Sequence, residues 1–90
     1  MDVYQKTFSI GDAARFAGVT ARQLRNWEDC GYLGKVERVV CGERAYRRYN
    51  LKQVNLAEKI RNFLDEGYTL KMAAQKAREY LGVKGGSLNA

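Results

Sequence analysis

A mainly α-helical domain carrying one small β-hairpin is predicted by this 90-residue sequence, and three observations carry the prediction. Four segments each combine a capping residue at the start, apolar positions at helical spacing, and a glycine at the end. The stretch between the second and third switches to β-branched and aromatic residues around a glycine-containing turn. No proline interrupts any of these segments.

The first helix is expected over Ile10–Ala17, where Ser9 and Asp12 read as a capping box and Gly18 as the stop. The second runs over Ala21–Cys30. Thr20 and Gln23 form its capping box, Val19 and Leu24 a hydrophobic staple, and Gly31 ends it. Val36, Val39 and Val40 then lead through Cys41-Gly42-Glu43 to Arg44-Ala45-Tyr46-Arg47-Arg48-Tyr49, the hairpin. A third helix over Leu51–Glu66 repeats the box with Asn50 and Gln53 and the staple with Tyr49 and Val54. Leu56, Ile60, Phe63 and Leu64 mark its buried side, and Gly67 closes it. The fourth, Leu70–Leu81, is capped by Thr69 and carries Leu70, Ala73, Ala74, Ala77 and Leu81 at amphipathic spacing. Gly82 follows. One domain over residues 1–82 and a flexible C-terminal tail over residues 83–90 are expected, since a chain this short builds a single core.

Composition narrows the function. With 46% hydrophobic and 29% charged residues the chain reads as globular. No apolar run reaches the length of a membrane span. Met1–Asp2–Val3–Tyr4–Gln5–Lys6 lacks the basic-then-apolar order of a secretory signal, so a cytoplasmic, nucleoid-associated protein is expected. Sixteen Lys+Arg against ten Asp+Glu give +6, a charge balance that suits a polyanionic partner. Histidine is absent, which removes the usual general base, and Cys30 and Cys41 alone cannot complete a zinc site. The two thiols are read as buried or incidental. No enzyme activity, cofactor or metal is expected.

The three residues Gly18, Val19 and Thr20 make a very short connection between two short helices, as in a helix-turn-helix. Ala14 permits close approach of the helices, Gly18 accepts positive φ, and Leu24 buries against the first helix. An ordinary αα-hairpin is the alternative. With Leu24 and Trp27 inward, Ala21, Arg22, Arg25 and Asn26 lie on the outer face, with Gln23 at its edge. Arginine reads guanine bidentately in the major groove, Asn or Gln reads adenine, and Ala21 or the Thr20 methyl suits a thymine methyl. A solvated basic face is the bland reading of the same residues. Glu28 and Asp29 sit in the last turn, away from the end that would enter a groove. In the hairpin, Arg44, Arg47 and Arg48 cluster with Tyr46 and Tyr49 opposite Lys35 and Arg38, a set suited to phosphate oxygens. Strand alternation separates Tyr46 and Arg48 from Arg47 and Tyr49. One tyrosine is therefore core and one arginine structural, in an assignment the pattern leaves open.

The order of these residues resembles the DNA-binding domain of the MerR family of transcription regulators. The resemblance rests on Phe8-Ser9-Ile10-Gly11, Ala17-Gly18-Val19-Thr20, Leu24-Arg25-Asn26-Trp27-Glu28, Gly31-Tyr32-Leu33, Tyr46-Arg47-Arg48-Tyr49 and Gly67-Tyr68-Thr69-Leu70. It covers about residues 8–81. It implies a winged helix-turn-helix followed by an antiparallel helix pair, with the second helix in the major groove and the wing on the backbone. It also implies that Arg22 and Arg25 contact groove or phosphate and that Arg47 or Arg48 makes a wing phosphate contact. Two features depart from the family pattern. Asn26 stands where the family has the first of two aromatic residues, and the long dimerisation helix and effector region usual in the family are not expected within these 90 residues.

Sequence-specific double-stranded DNA binding, as a bacterial transcription regulator, is therefore the expected function. Thr20, Ala21, Arg22, Gln23, Arg25, Asn26, Arg44, Tyr46, Arg47 and Arg48 are the expected contacts. A homodimer is left open, and neither a membrane nor a small-molecule effector domain is expected. Two alternatives stand beside this reading. One is an excisionase-like or recombinase-associated architectural DNA-binding protein. The other is a protein-interaction module using the stripe of the C-terminal helix pair.

Overall fold

Residues 7–82, which the computed structural model describes, form four helices and a three-stranded antiparallel sheet. In chain order they are β1 (Thr7–Phe8), α1 (Ile10–Ala17), α2 (Ala21–Asp29), β2 (Glu37–Cys41), β3 (Arg44–Asn50), α3 (Leu51–Asp65) and α4 (Leu70–Tyr80). The expected mainly helical fold with a hairpin wing and a closing helix pair is the one observed. The tail expected over residues 83–90 lies outside the described residues, as do residues 1–6.

Local chemistry explains most boundaries. Thr20 and Asn50 each form the full capping box with Gln23 and Gln53. Ser9 accepts from the Asp12 amide, but the reciprocal half of its expected box is missing and Asp12 pairs with Arg15 instead. An aspartate is one methylene shorter than the glutamate or glutamine that normally reaches back. Three helices stop one residue before the expected end, because Cys30, Glu66 and Leu81 serve as C-caps. Gly18 turns the chain at φ +77°, and its amide donates to the Ala14 carbonyl while Val19 donates to the same oxygen. This left-handed closure lets α2 begin within three residues of α1.

The hairpin strands pair in the register Arg38↔Arg47, Val39↔Tyr46 and Cys41↔Arg44, and Gly42 takes the positive φ of the two-residue turn. The sequence carries no signal for β1, which pairs Thr7↔Asn50 and Phe8↔Tyr49 and gives the sheet the order β1-β3-β2. Two residues are too few to show a period of two. Beneath the sheet and helices lies one core, built from Ala13, Ala14 and Ala17 of α1, Leu24 and Trp27 of α2, Tyr49, Val54, Leu56, Ala57 and Ile60, and Ala73, Ala74 and Ala77 of α4. The α4 alanines are fully buried, with Leu70 and Leu81 partly buried against the same core. The stripe considered as a partner-docking face is thus occupied within the molecule.

Gln53 ties the wing's approach to this core. Buried at 6% exposure, it accepts from the Asn50 amide at 2.8 Å and donates Nε2 to the carbonyls of Lys35 and Leu33 at 2.8 and 3.3 Å. One side chain therefore starts α3 and pins the loop that leads into β2. Among the described residues no helix is long and apolar enough to cross a membrane.

Candidate nucleic-acid interface

The helix α2 turns Leu24 and Trp27 into the core, so its sequence dictates what remains outside. Arg22, Gln23, Arg25 and Asn26 are exposed and Ala21 is half-buried, with Thr20 exposed at the N-cap. No ion pair holds Arg22 or Arg25 among the described residues. Gln23 is less free than its exposure suggests. Its Oε1 accepts from the Thr20 amide at 3.0 Å, so a bidentate contact to adenine would have to break the cap. Asn26 is the one amide side chain of this face without such a commitment among the described residues.

The hairpin is organised differently. Tyr49 is the core tyrosine, fully buried, whereas Tyr46 is 47% exposed. Arg44 is exposed near the turn. The two central arginines are both engaged. Arg47 donates Nε to Glu28 Oε1 at 2.6 Å, and Arg48 donates Nε to Thr7 Oγ1 and Nη2 to the Thr7 carbonyl, each at 3.1 Å. The pattern had allowed for one structural arginine, and the structure has two. Arg48 retains donors beyond those it uses, because a guanidinium has five N–H groups.

Sequence reasoning missed the part played by Glu28. Its position in the last turn of α2 keeps it away from the end that would enter a groove, and the structure makes it a junction. It accepts from Arg38 Nη2 at 3.2 Å, Arg47 Nε at 2.6 Å and Tyr49 Oη at 3.2 Å. The hydroxyl of Tyr49 is pushed up to about 12, first by burial and then by the Glu28 charge and the hydrogen bond to it. The positive charges of Arg47 and Arg25 oppose that shift. A signal was available: an acid at a helix C-terminus faces the negative end of the helix and needs cations nearby.

Of the two readings left for the cysteines, buried or incidental, the structure excludes the first. Both Cys30 and Cys41 are exposed rather than buried, one at the rim of α2 and the other at the end of the hairpin. No group of three or more metal-ligating side chains occurs among the described residues.

Residues 8–80 match the family model described as MerR HTH family regulatory protein. The HTH-type transcriptional activator TipA of Streptomyces coelicolor is 34% identical over 68 residues, which is 76% of this chain and 26% of that protein. The protein of the same name from Streptomyces lividans matches to the same extent. The chain thus spans about a quarter of the length of these curated relatives.

Proposed function

The chain belongs to the MerR HTH family of regulatory proteins, and on that premise we propose that it binds double-stranded DNA sequence-specifically, as a bacterial transcription regulator. The observation that carries this reading is the outer face of α2, where Arg22 and Arg25 stand exposed beside Asn26. Under the proposal this face enters the major groove. Arg22 and Arg25 read guanine edges or hold the flanking phosphates, and Asn26 reads adenine. Ala21 and the Thr20 methyl pack against thymine. Gln23 keeps the helix end in place rather than reading a base.

The hairpin lies over the neighbouring backbone as a wing. Arg44 and Tyr46, exposed toward its turn, donate to phosphate, and Arg48 adds the donors that Thr7 does not use. Affinity comes largely from phosphate neutralisation. With about six phosphates contacted, binding to a mixed-sequence duplex weakens roughly a thousandfold between about 50 and 200 mM salt. An affinity that barely changes over that range contradicts the proposal. Selection from a random duplex pool gives the target site, and a palindromic result reports a homodimer, since half-site symmetry mirrors protein symmetry.

A further inference from the structure

Glu28 combines three features that seldom coincide. It occupies the last turn of α2, where the helix end disfavours a negative charge. Its side chain is only 9% exposed. And among the described residues its hydrogen bonds all come from the hairpin, none of them from its own helix. The donors divide by oxygen. Oε1 takes Arg47 and Tyr49 from β3, and Oε2 takes Arg38 from β2. Arg38 and Arg47 are opposite each other in the register, so they share one face of the hairpin, and Tyr49 lies two residues along β3 on that face. One carboxylate thus grips both strands at once, and the grip runs from α2 directly.

We propose that Glu28 is the positioning residue of the interface, fixing the hairpin against α2 and so setting the distance between groove-reading and backbone-holding elements. The inference rests on the DNA-binding reading above, but the grip itself is a property of the free protein. An ion pair taken out of water contributes little net stability, and its best-attested use is to fix one arrangement among several. Here the two elements brought into register are the two that would meet DNA. Glu28 itself touches no nucleic acid in this account. It acts through Arg38, Arg47 and Tyr49.

The sign of the effect separates positioning from simple electrostatics. Removing an acid beside a DNA-binding face raises the net charge from +6 to +7 and, by charge alone, tightens binding. Positioning requires the reverse. Glu28→Gln keeps the shape and one acceptor but loses the charge, whereas Asp29→Asn makes the same charge change at the exposed neighbour. Both variants are compared with the wild type by backbone 15N relaxation of residues 37–48 without DNA and by affinity for a mixed-sequence duplex. Circular dichroism checks that the helices are retained.

The expected result is a hairpin with lower order parameters in Glu28→Gln and binding weakened about tenfold, while Asp29→Asn keeps an ordered hairpin and binds as well as or better than wild type. Should Glu28→Gln not fold, Tyr49→Phe removes one of the three donors at constant charge and produces a smaller change in the same direction on both readouts. An unchanged hairpin in the folded variant overturns the inference, and so does binding that stays level or tightens. Wild-type protein that binds no duplex overturns the DNA-binding reading instead. The order parameters, measured on free protein, still decide whether Glu28 holds the hairpin.

Discussion

The outer face of α2 carries two arginines and the hairpin four, and the two regions use them in opposite ways. On α2, Arg22 and Arg25 stand in solvent with no ion-pair partner among the described residues. On the hairpin, Arg38 and Arg47 pair with Glu28 and Arg48 bonds to Thr7. The first set is available to a ligand, and the second largely holds the fold in place. A basic composition therefore does not count the cations a polyanion can reach. What counts is how many guanidinium donors the protein has not already used.

The comparison makes its largest prediction at Arg47. Replacing it by alanine leaves the Glu28 carboxylate short of its closest donor, and stability falls by about 2–3 kcal/mol, the upper range for hydrogen bonds to charged groups. Arg22→Ala, by contrast, shifts stability by less than about 0.5 kcal/mol, as exposed substitutions do. Equal losses in chemical denaturation would erase the distinction between the two regions.

Tyr49 sharpens the same contrast through pH. Its hydroxyl ionises near 12 in the folded protein against an ordinary value of 10.0. The stabilisation is therefore fully present below pH 10 and is lost as pH rises from there toward 12, because the unfolded chain sheds its proton first. The loss reaches roughly 2–3 kcal/mol by pH 12. Tyr49→Phe removes this part of the alkaline decline, which parallel denaturation series at rising pH would show. An identical decline in the variant would mean that the Glu28 junction does not bury the hydroxyl as described.

Gln53→Ala probes the hairpin's root, away from either arginine set. It strips partners from the Asn50 amide and the Lys35 and Leu33 carbonyls, and costs about 1–3 kcal/mol in thermal or chemical unfolding. A smaller loss of stability than at Gln53 is expected at Arg48. Its alanine variant loses the bonds to Thr7, worth about 1 kcal/mol of stability. Binding to all duplex sequences weakens alike, as for a phosphate contact.

Helices α1 to α4 and the hairpin were legible because each carries its own signal: a cap, a period and a glycine at a left-handed turn. Gly18 illustrates how local that signal is, since its φ of +77° follows from the helix ending there. The α2 face was legible for the same reason, because burying Leu24 and Trp27 fixes by helical geometry what points outward. The junction at Glu28 was not, because it joins residues 10, 19 and 21 positions apart through a packing angle that no periodicity encodes. Strand alternation separated Arg47 from Arg48, yet it could not reveal that β1 would supply Thr7 as a partner for Arg48. The exposure of Cys30 and Cys41 was hidden similarly, since a cysteine's burial is decided by which faces of its element find neighbours.

The central claim is that the exposed arginines of α2 meet base edges, and a specificity ratio tests it most directly. Affinities of wild type, Arg22→Ala and Arg25→Ala are measured at one salt concentration for a duplex selected from a random pool and for an unrelated duplex. The account predicts that at least one of the two variants loses about 1–3 kcal/mol on the selected duplex while losing much less on the unrelated one, so that the ratio collapses. Equal losses on both duplexes, or none on either, would contradict it.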